Sequence, residues 1–525
     1  MLSLMGPFLT DFYKWGHCGM IPPETRVIYS NVTARGAKYF SGEDTFDNKV
    51  LIVGIRRAID DVMALWDLFF RMDKAEALGQ LRKELVLALP SNAKIDSCLQ
   101  HFADLWDIGH LPVKIMVVPE GTRLPIRVPF MTIRNTDERF AFITNFLETL
   151  ISAEVWKTIV NASTAFEFLE QLTVAAQRTV DPDFETAYNL VQYQAHDFSL
   201  RGMSGIHDGM NSGIGHLACF RGTDTLASIP VIRHHYHTEE NEHIGGSVVA
   251  TEHMVMCLGG AEDEFETFRR LIQDDYPTGI ISIVSDTWDF FKVLTDYIPR
   301  LKDVILARKP DSSGRATVVL RPDSGTPEYI LCGDPDAPEG SPEYKGAVQI
   351  LWEIFGGTQT PQGKNLLDDH ISLIYGDSIT RVRSEVINGM LINKGFASLN
   401  SLRGIGSYTY QYVTRDTFSI AVKATAAIVG DETRNLLKNP KTDDGTKKSA
   451  TGFLRVEKVP TPALGGDSFT YKLIEGLTLE EAEASPETNL LEPVYDSGVF
   501  APMPVWQDIR NRVKDGLKAR IAARG

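Results

Sequence analysis

The chain has 525 residues, 43% of them hydrophobic and 23% charged, which excludes disordered, collagen-like and disulfide-scaffold classes and predicts two or more domains, or one enlarged by insertions. Lys plus Arg number 53 against 69 Asp plus Glu, a net charge of −16, so the balance argues against general nucleic-acid or anionic-membrane binding. Any anionic ligand must then be held by a local cluster of Arg and Lys. Five scattered cysteines form no C-x-x-C pair, and no uncharged apolar run reaches the roughly 18 residues of a membrane helix, so the expectation is a cytoplasmic protein in a reducing compartment.

In chain order, residues 50–90 and 138–178 carry apolar side chains at three-to-four spacing and predict helices. The segment 111–133 between them, broken by Pro and Gly, predicts a small sheet. From Gly279 onward short apolar runs each end in an acidic turn: IISIV before Ser285 and Asp286, TVVL before Arg321 to Gly325, and ISLIY before Gly376 and Asp377. SVVA before Thr251, Glu252 and His253 extends the set. Repeated β-turn-α units of this kind wind into a doubly wound sheet or a barrel, with ligands beyond the carboxyl ends of the strands. Residues 438–470 read as loops around one strand pair. The C-terminal helix puts Ile509, Val513, Leu517 and Ile521 on one face for docking on the body. The organisation expected is a helical and β-rich part over 1–185, an α/β barrel with the active site over 186–400, and a return to the β-rich domain over 401–525.

Several motifs fail on inspection. Gly363-Lys364 lacks both the earlier Gly and the following Ser or Thr of a phosphate-binding loop. Asp274 to Gly279 resembles an acidic phosphoribosyl loop but follows a helical pattern rather than a strand. His234, His235, His237 and His243 match no zinc spacing and read as a solvated loop.

In His196-Asp197-Phe198-Ser199-Leu200-Arg201-Gly202 an acid, an aromatic and a cation alternate, a set able to hold a planar ring and a phosphate. A loop with an ordinary ion pair is the alternative. The strand-end acids Asp286, Asp289, Asp323 and Asp377, with the cations Arg201, Arg321, Arg415 and Lys423, describe a site for a polyanion with a sugar and magnesium. Phosphoryl or glycosyl transfer follows as a reaction class.

At these residues the sequence resembles the type II phosphoribosyltransferase family, and within it the enzymes that use nicotinamide. Its markers are Thr10 to Lys14 with His17, Asn145 to Thr149, His196 to Gly202, Gly222 to Thr225, Ser247 to His253, Ser285-Asp286, Arg321 to Gly325, Gly376-Asp377 and Thr414 to Asp416. The resemblance implies an irregular α/β barrel with a β-rich second domain and helical additions. It also implies a homodimer with shared active sites, and transfer of the phosphoribosyl group of phosphoribosyl pyrophosphate (PRPP) to nicotinamide, giving nicotinamide mononucleotide and pyrophosphate in NAD salvage.

By the same resemblance, Phe198 and the partner's Tyr13 sandwich the pyridine, and Asp224 accepts from the carboxamide. Arg321 touches the carboxamide and the pyrophosphate side. Arg201, Arg415, Lys423, the Gly406-Ser407 backbone and the partner's Arg35 hold phosphate, while Asp323, Gly376 and Asp377 bind ribose hydroxyls. His253 matches the histidine phosphorylated when ATP, an activating co-substrate, is hydrolysed, with Ser247, Ser282 and Asp286 lining the pocket. Magnesium is expected to be held mainly through PRPP and pyrophosphate. Ser199, Thr251 and the stretch Gly404-Ile405-Gly406-Ser407-Tyr408 depart from the usual family pattern. The alternatives on the same residues are a nicotinate phosphoribosyltransferase and a non-catalytic PRPP or nucleotide sensor.

Overall fold

The computed structural model describes residues 4–40, 46–437, 450–460, 469–484 and 488–524. It divides into two compact units, one made of 1–163, 232–239 and 413–523, the other of 164–231, 240–412 and 524–525. The sequence reading draws its boundaries at 185/186 and 400/401; the compact units change at 163/164, inside the helix Glu148–Thr179, around the excursion 232–239, and at 412/413.

The first unit is built on a seven-stranded antiparallel sheet. Its order is Glu432–Asn435, Ala421–Val429, Thr25–Thr33, Pro129–Asn135, Val113–Val117, Glu492–Asp496 and Val499–Phe500, so strands from both ends of the chain lie side by side. The helices Ile55–Arg71, Lys74–Ala88 and Ile95–Ile108 supply Trp66, Phe69, Leu81 and Phe102 to the same buried core. The C-terminal helix Trp506–Arg524 buries Ile509, Val513 and Leu517 completely, the docking its apolar stripe predicts. Within residues 438–470 the strands Phe453–Pro460 and Phe469–Leu477 pair antiparallel, whereas the expected loops over 438–449 and 461–468 lie outside the described residues.

In the His-rich run His234, His237 and His243 are exposed, as a solvated loop would have them, but His235 is not. His235 ends the helix Ser228–His235 and, like Tyr236, is buried. Its Nδ1 lies 2.9 Å from Asp60 Oδ2, and the Tyr236 hydroxyl donates to Glu120, which also caps the start of Ile55–Arg71 through the Gly54 and Arg56 amides. An acid 175 residues away along the chain turns this histidine inward.

The second unit carries seven short parallel strands: β1 (Ala195–Asp197), β2 (Gly222–Thr223), β3 (Val249–Ala250), β4 (Ile281–Val284), β5 (Val318–Arg321), β6 (Ile371–Tyr375) and β7 (Leu402–Ile405). They run in the order β2-β1-β7-β6-β5-β4-β3. Gly246 bridges in parallel to Gly222 of β2, three residues before β3 begins, so one short segment serves both edges and curls the sheet into an irregular barrel. Ile281 to Val284 are all buried, as are Val318 to Leu320, because helices cover one face and the barrel interior the other. Every strand ends, at its carboxyl side, in a turn singled out from sequence or adjoining one.

Arg308 holds the approach to β4. It is buried, and its guanidinium donates to the carbonyls of Ile272, Tyr276, Thr278, Gly279 and Ala316, with no carboxylate beside it among the described residues. Burial accordingly lowers its pKa. Arg308→Lys, which keeps the charge but not the planar fork, should leave several carbonyls unpaired and cost about 3 kcal/mol in denaturant unfolding. A loss below about 0.5 kcal/mol would show that the carbonyls find other donors.

Candidate active site

The Phe198 ring fixes the geometry of the pocket. Its backbone amide donates to Ile405, and the ring rests on the backbone of two neighbouring strands. A Cβ on Gly404 would lie 2.6 Å from the ring, so glycine there lets the aromatic lie flat on the sheet ends, while a Cβ on Gly376 would lie 2.6 Å from Asp323 Oδ1 and 3.4 Å from the ring. His196 packs on the same ring at 4.8 Å between centroids, and the Arg321 guanidinium lies 5.9 Å from its centre.

Beyond β2, Asp224 receives two donors on one oxygen. His196 Nε2 lies 3.0 Å and the Ser247 hydroxyl 2.5 Å from its Oδ1. Burial works to raise the Asp224 pKa, but the hydrogen bonds from His196 and Ser247, with the electrostatic pull of these surroundings and of Arg321, outweigh it and hold the carboxyl below its usual value.

A second carboxylate is arranged in a similar way. Asp286, after β4, accepts on Oδ2 from the amides of Asp323 and Ser324 and from the Ser324 hydroxyl at 2.6 to 2.8 Å, while its Oδ1 lies 3.3 Å from His253 Nε2. Burial again pushes upward, and the Ser324 and Asp323 donors overcome it, so Asp286 stays ionised. Asp323 goes the other way. Burial raises its pKa, Arg321 only partly offsets this, and the charges of Asp286 and Asp377 add to the rise. Its Oδ1 is buried without a hydrogen-bond partner and sits against Gly376, an acceptor that hydroxyl donors would satisfy.

Arg201 is exposed in the turn Leu200–Gly202, and Gly202 packs directly under the Ser407 side chain, which brings this turn beside Ser407. Ser282, on β4, accepts the Thr251 amide on its carbonyl, and the Thr251 hydroxyl accepts the Val284 amide, so this unusual threonine ties β3 to β4. The barrel unit thus brings Phe198, Arg201, Asp224, Ser247, His253, Asp286, Arg321, Asp323, Gly376, Asp377, Gly406 and Ser407 to the carboxyl-end side of its strands, with Ser282 inside β4. Asp289, also an acid of the sequence reading, instead caps the helix that follows it by accepting the Lys292 amide.

The other sequence-picked residues, Tyr13, Arg35, Arg415 and Lys423, belong to the antiparallel unit. Arg35 and Arg415 are neighbours: burial lowers the Arg35 pKa, the Arg415 charge lowers it further, and Asp416 opposes both. Lys423 and the buried Lys14 share Glu148, at 3.6 and 2.7 Å, and Thr149 donates to Asp11. The N-terminal marker and Asn145 to Thr149 therefore form one structure. Tyr13 itself is 62% exposed.

Two residues that matter here received no role from sequence, His196 and Ser324. Each lay inside a marked motif, but their partners, Asp224 and Asp286, are 28 and 38 residues distant, and no local pattern pairs them.

Aromatic, cation and paired acids at strand ends define a barrel site whose chemistry suits a flat ring beside a polyhydroxylated anion. The family model described as the nicotinate phosphoribosyltransferase (NAPRTase) family matches residues 193–476. The chain is 44% identical to the nicotinamide phosphoribosyltransferase of Acinetobacter baylyi over 97% of both chains. It is also 30% identical to that of Mycoplasma pneumoniae over 84% of this chain and 93% of the relative. Its fold matches the nicotinate-nucleotide pyrophosphorylase of Pyrococcus furiosus (TM-score 0.54, 12% identity, 98% of this chain and 95% of the other). Human nicotinic acid phosphoribosyltransferase is similar too (TM-score 0.52, 14% identity, 97% and 94%). The chain belongs to the nicotinate phosphoribosyltransferase family and has the type II phosphoribosyltransferase fold, an irregular α/β barrel with a β-rich second unit. Its near full-length relatives carry the name of the nicotinamide-using branch.

Proposed function

We propose that the protein transfers the phosphoribosyl group of PRPP to nicotinamide, releasing nicotinamide mononucleotide and pyrophosphate in NAD salvage. The observation that carries this reading is Asp224, an ionised acceptor within reach of the ring that Phe198 stacks. A carboxamide donates to it, whereas the carboxylate of nicotinate is repelled by it.

The pyridine nitrogen attacks the anomeric carbon as pyrophosphate leaves. Its lone pair is free, so no general base is needed, and catalysis rests on position and charge compensation. Phe198 holds one face of the ring and Arg321 bridges the carboxamide oxygen and the pyrophosphate side. Asp323, with its unpaired buried oxygen, and Asp377 beside Gly376 take the ribose hydroxyls. Arg201 and the Gly406-Ser407 backbone take phosphate, with the partner chain's Arg35 adding charge. Ser282 lines the pocket.

Magnesium fits this acidic site, since hard carboxylate oxygens suit it. Among the described residues, no three carboxylate or histidine side chains of the barrel unit converge on one point. An ion here would be held mainly by the oxygens of PRPP, and the carboxylates of Asp286 and Asp323 would complement its charge. ATP acts as a co-substrate through His253, which Asp286 orients. The protein is cytoplasmic and works as a homodimer with shared sites. Among the described residues, no helix is long and apolar enough to cross a membrane.

The test is a side-by-side assay of nicotinamide and nicotinate with PRPP and magnesium, with and without ATP. Formation of nicotinamide mononucleotide and pyrophosphate, with nicotinate far poorer, is the expected result. Binding of PRPP without product would identify a sensor instead. His253→Ala should lose ATP hydrolysis and the ATP-dependent rise in turnover while slower ATP-independent transfer remains measurable. Normal ATP hydrolysis by that variant would move the role to another residue.

A further inference from the structure

We infer that His196 is a positioning residue for base selectivity, holding Asp224 so that one carboxylate oxygen is spent on the protein and the other is left for the carboxamide. The inference rests on the nicotinamide reading above and extends it to a residue that does not itself touch the reacting atoms. His196 Nε2 and the Ser247 hydroxyl both converge on Asp224 Oδ1, at 3.0 and 2.5 Å. Among the described residues, no hydrogen bond engages Oδ2. A carboxylate accepts only, so Nε2 must carry the proton, and the tautomer is set by the pair.

Three features fix the imidazole. It is 8% exposed, it packs on Phe198, and a side chain on Gly222 would come within 2.8 Å of its Nδ1, so glycine there leaves room for the ring. The aromatic that stacks the base and the acid that reads its amide are thus coupled through one side chain. The groups facing Asp224 are His196 from β1, Ser247 from the segment before β3 and Arg321 from β5. Burial opposes ionisation of Asp224, and these groups overcome it. Removing His196 therefore moves Asp224 protonation to higher pH, and since only the ionised form accepts on Oδ2, the acidic limb of nicotinamide use moves with it.

The test compares His196→Leu, which deletes the donor, with His196→Gln, which restores an N–H near the Nε2 position. For His196→Leu the nicotinamide KM should rise about 30-fold with kcat and the PRPP KM within about threefold, the loss expected for one donor to a charged acceptor. The acidic limb of kcat/KM should move up in pH. His196→Gln should recover most of both effects. In the wild-type protein labelled with ¹⁵N-histidine, the His196 signal, assigned by its loss in His196→Gln, should report the Nε2–H tautomer at pH 7.5. This measurement stands even where His196→Leu fails to fold.

An Nδ1–H tautomer overturns the inference. So does an unmoved acidic limb, or a fall in kcat shared equally by nicotinamide and nicotinate, which marks a merely structural role. Wild-type protein that makes no mononucleotide from nicotinamide defeats the functional reading instead, so the two failures are distinguishable.

Discussion

Asp224→Asn is expected to lower kcat/KM for nicotinamide about 100-fold while raising that for nicotinate, narrowing or reversing the preference between them. The reason lies in which oxygen is already engaged. His196 and Ser247 both donate to Oδ1, so the carbonyl of an introduced asparagine must take that place to satisfy them. Its amide nitrogen then stands where Oδ2 was and presents a donor to the ligand. A donor facing the carboxamide nitrogen loses a charge-assisted hydrogen bond, and the same donor facing a carboxylate gains one. A 100-fold fall corresponds to about 2.7 kcal/mol of transition-state binding, within reach of one charged hydrogen bond and its desolvation. Asp224→Ala offers neither donor nor acceptor and should lose nicotinamide without gaining nicotinate. Measured side by side, an unchanged ratio in Asp224→Asn would sink the assignment of this residue to amide recognition.

Much of the barrel was legible because its longer strands are buried on both faces. IISIV, TVVL and ISLIY are apolar without alternation, and each runs into an acidic turn, so sequence alone places the turns at one end of a sheet. The shorter strands Ala195–Asp197 and Gly222–Thr223 have too few residues for any period to show. Strand Leu402–Ile405 hides for a different reason: it contains Arg403, fully buried and hydrogen-bonded to Ser401 and Asn388 rather than to a carboxylate, and Gly404, which exists for the Phe198 ring. Neither residue reads as a strand interior. Burial of His235 escaped the sequence on the same ground as the His196 pair, since the acids that decide them, Asp60 and Asp224, lie far away in sequence. Composition and spacing gave the reaction class. The roles of Asp224, His253 and Tyr13 came from resemblance, and the orientation of each carboxylate became visible only with coordinates.

Tyr13 leads to the largest contrast between variants. Its ring is 62% exposed beside Phe12 at 59%, and its ring contacts in its own unit are Lys14 and an edge-on His17 at 5.4 Å. Two adjacent exposed aromatics thus sit on a segment anchored by Lys14, buried against Glu148, and by Thr149, which donates to Asp11. If Tyr13 stacks the base in the partner's pocket, donation in a two-fold dimer must be reciprocal. Tyr13→Ala and Asp224→Ala should each be nearly inactive alone. In a mixed dimer of the two, one site collects both lesions and the other collects neither. Random mixing makes half the dimers mixed with one sound site each, so co-expression should restore roughly a quarter of wild-type activity per total protein. If Tyr13 instead serves its own chain, every site in the mixed dimer carries one lesion, and the mixture is no more active than the sum of its parents.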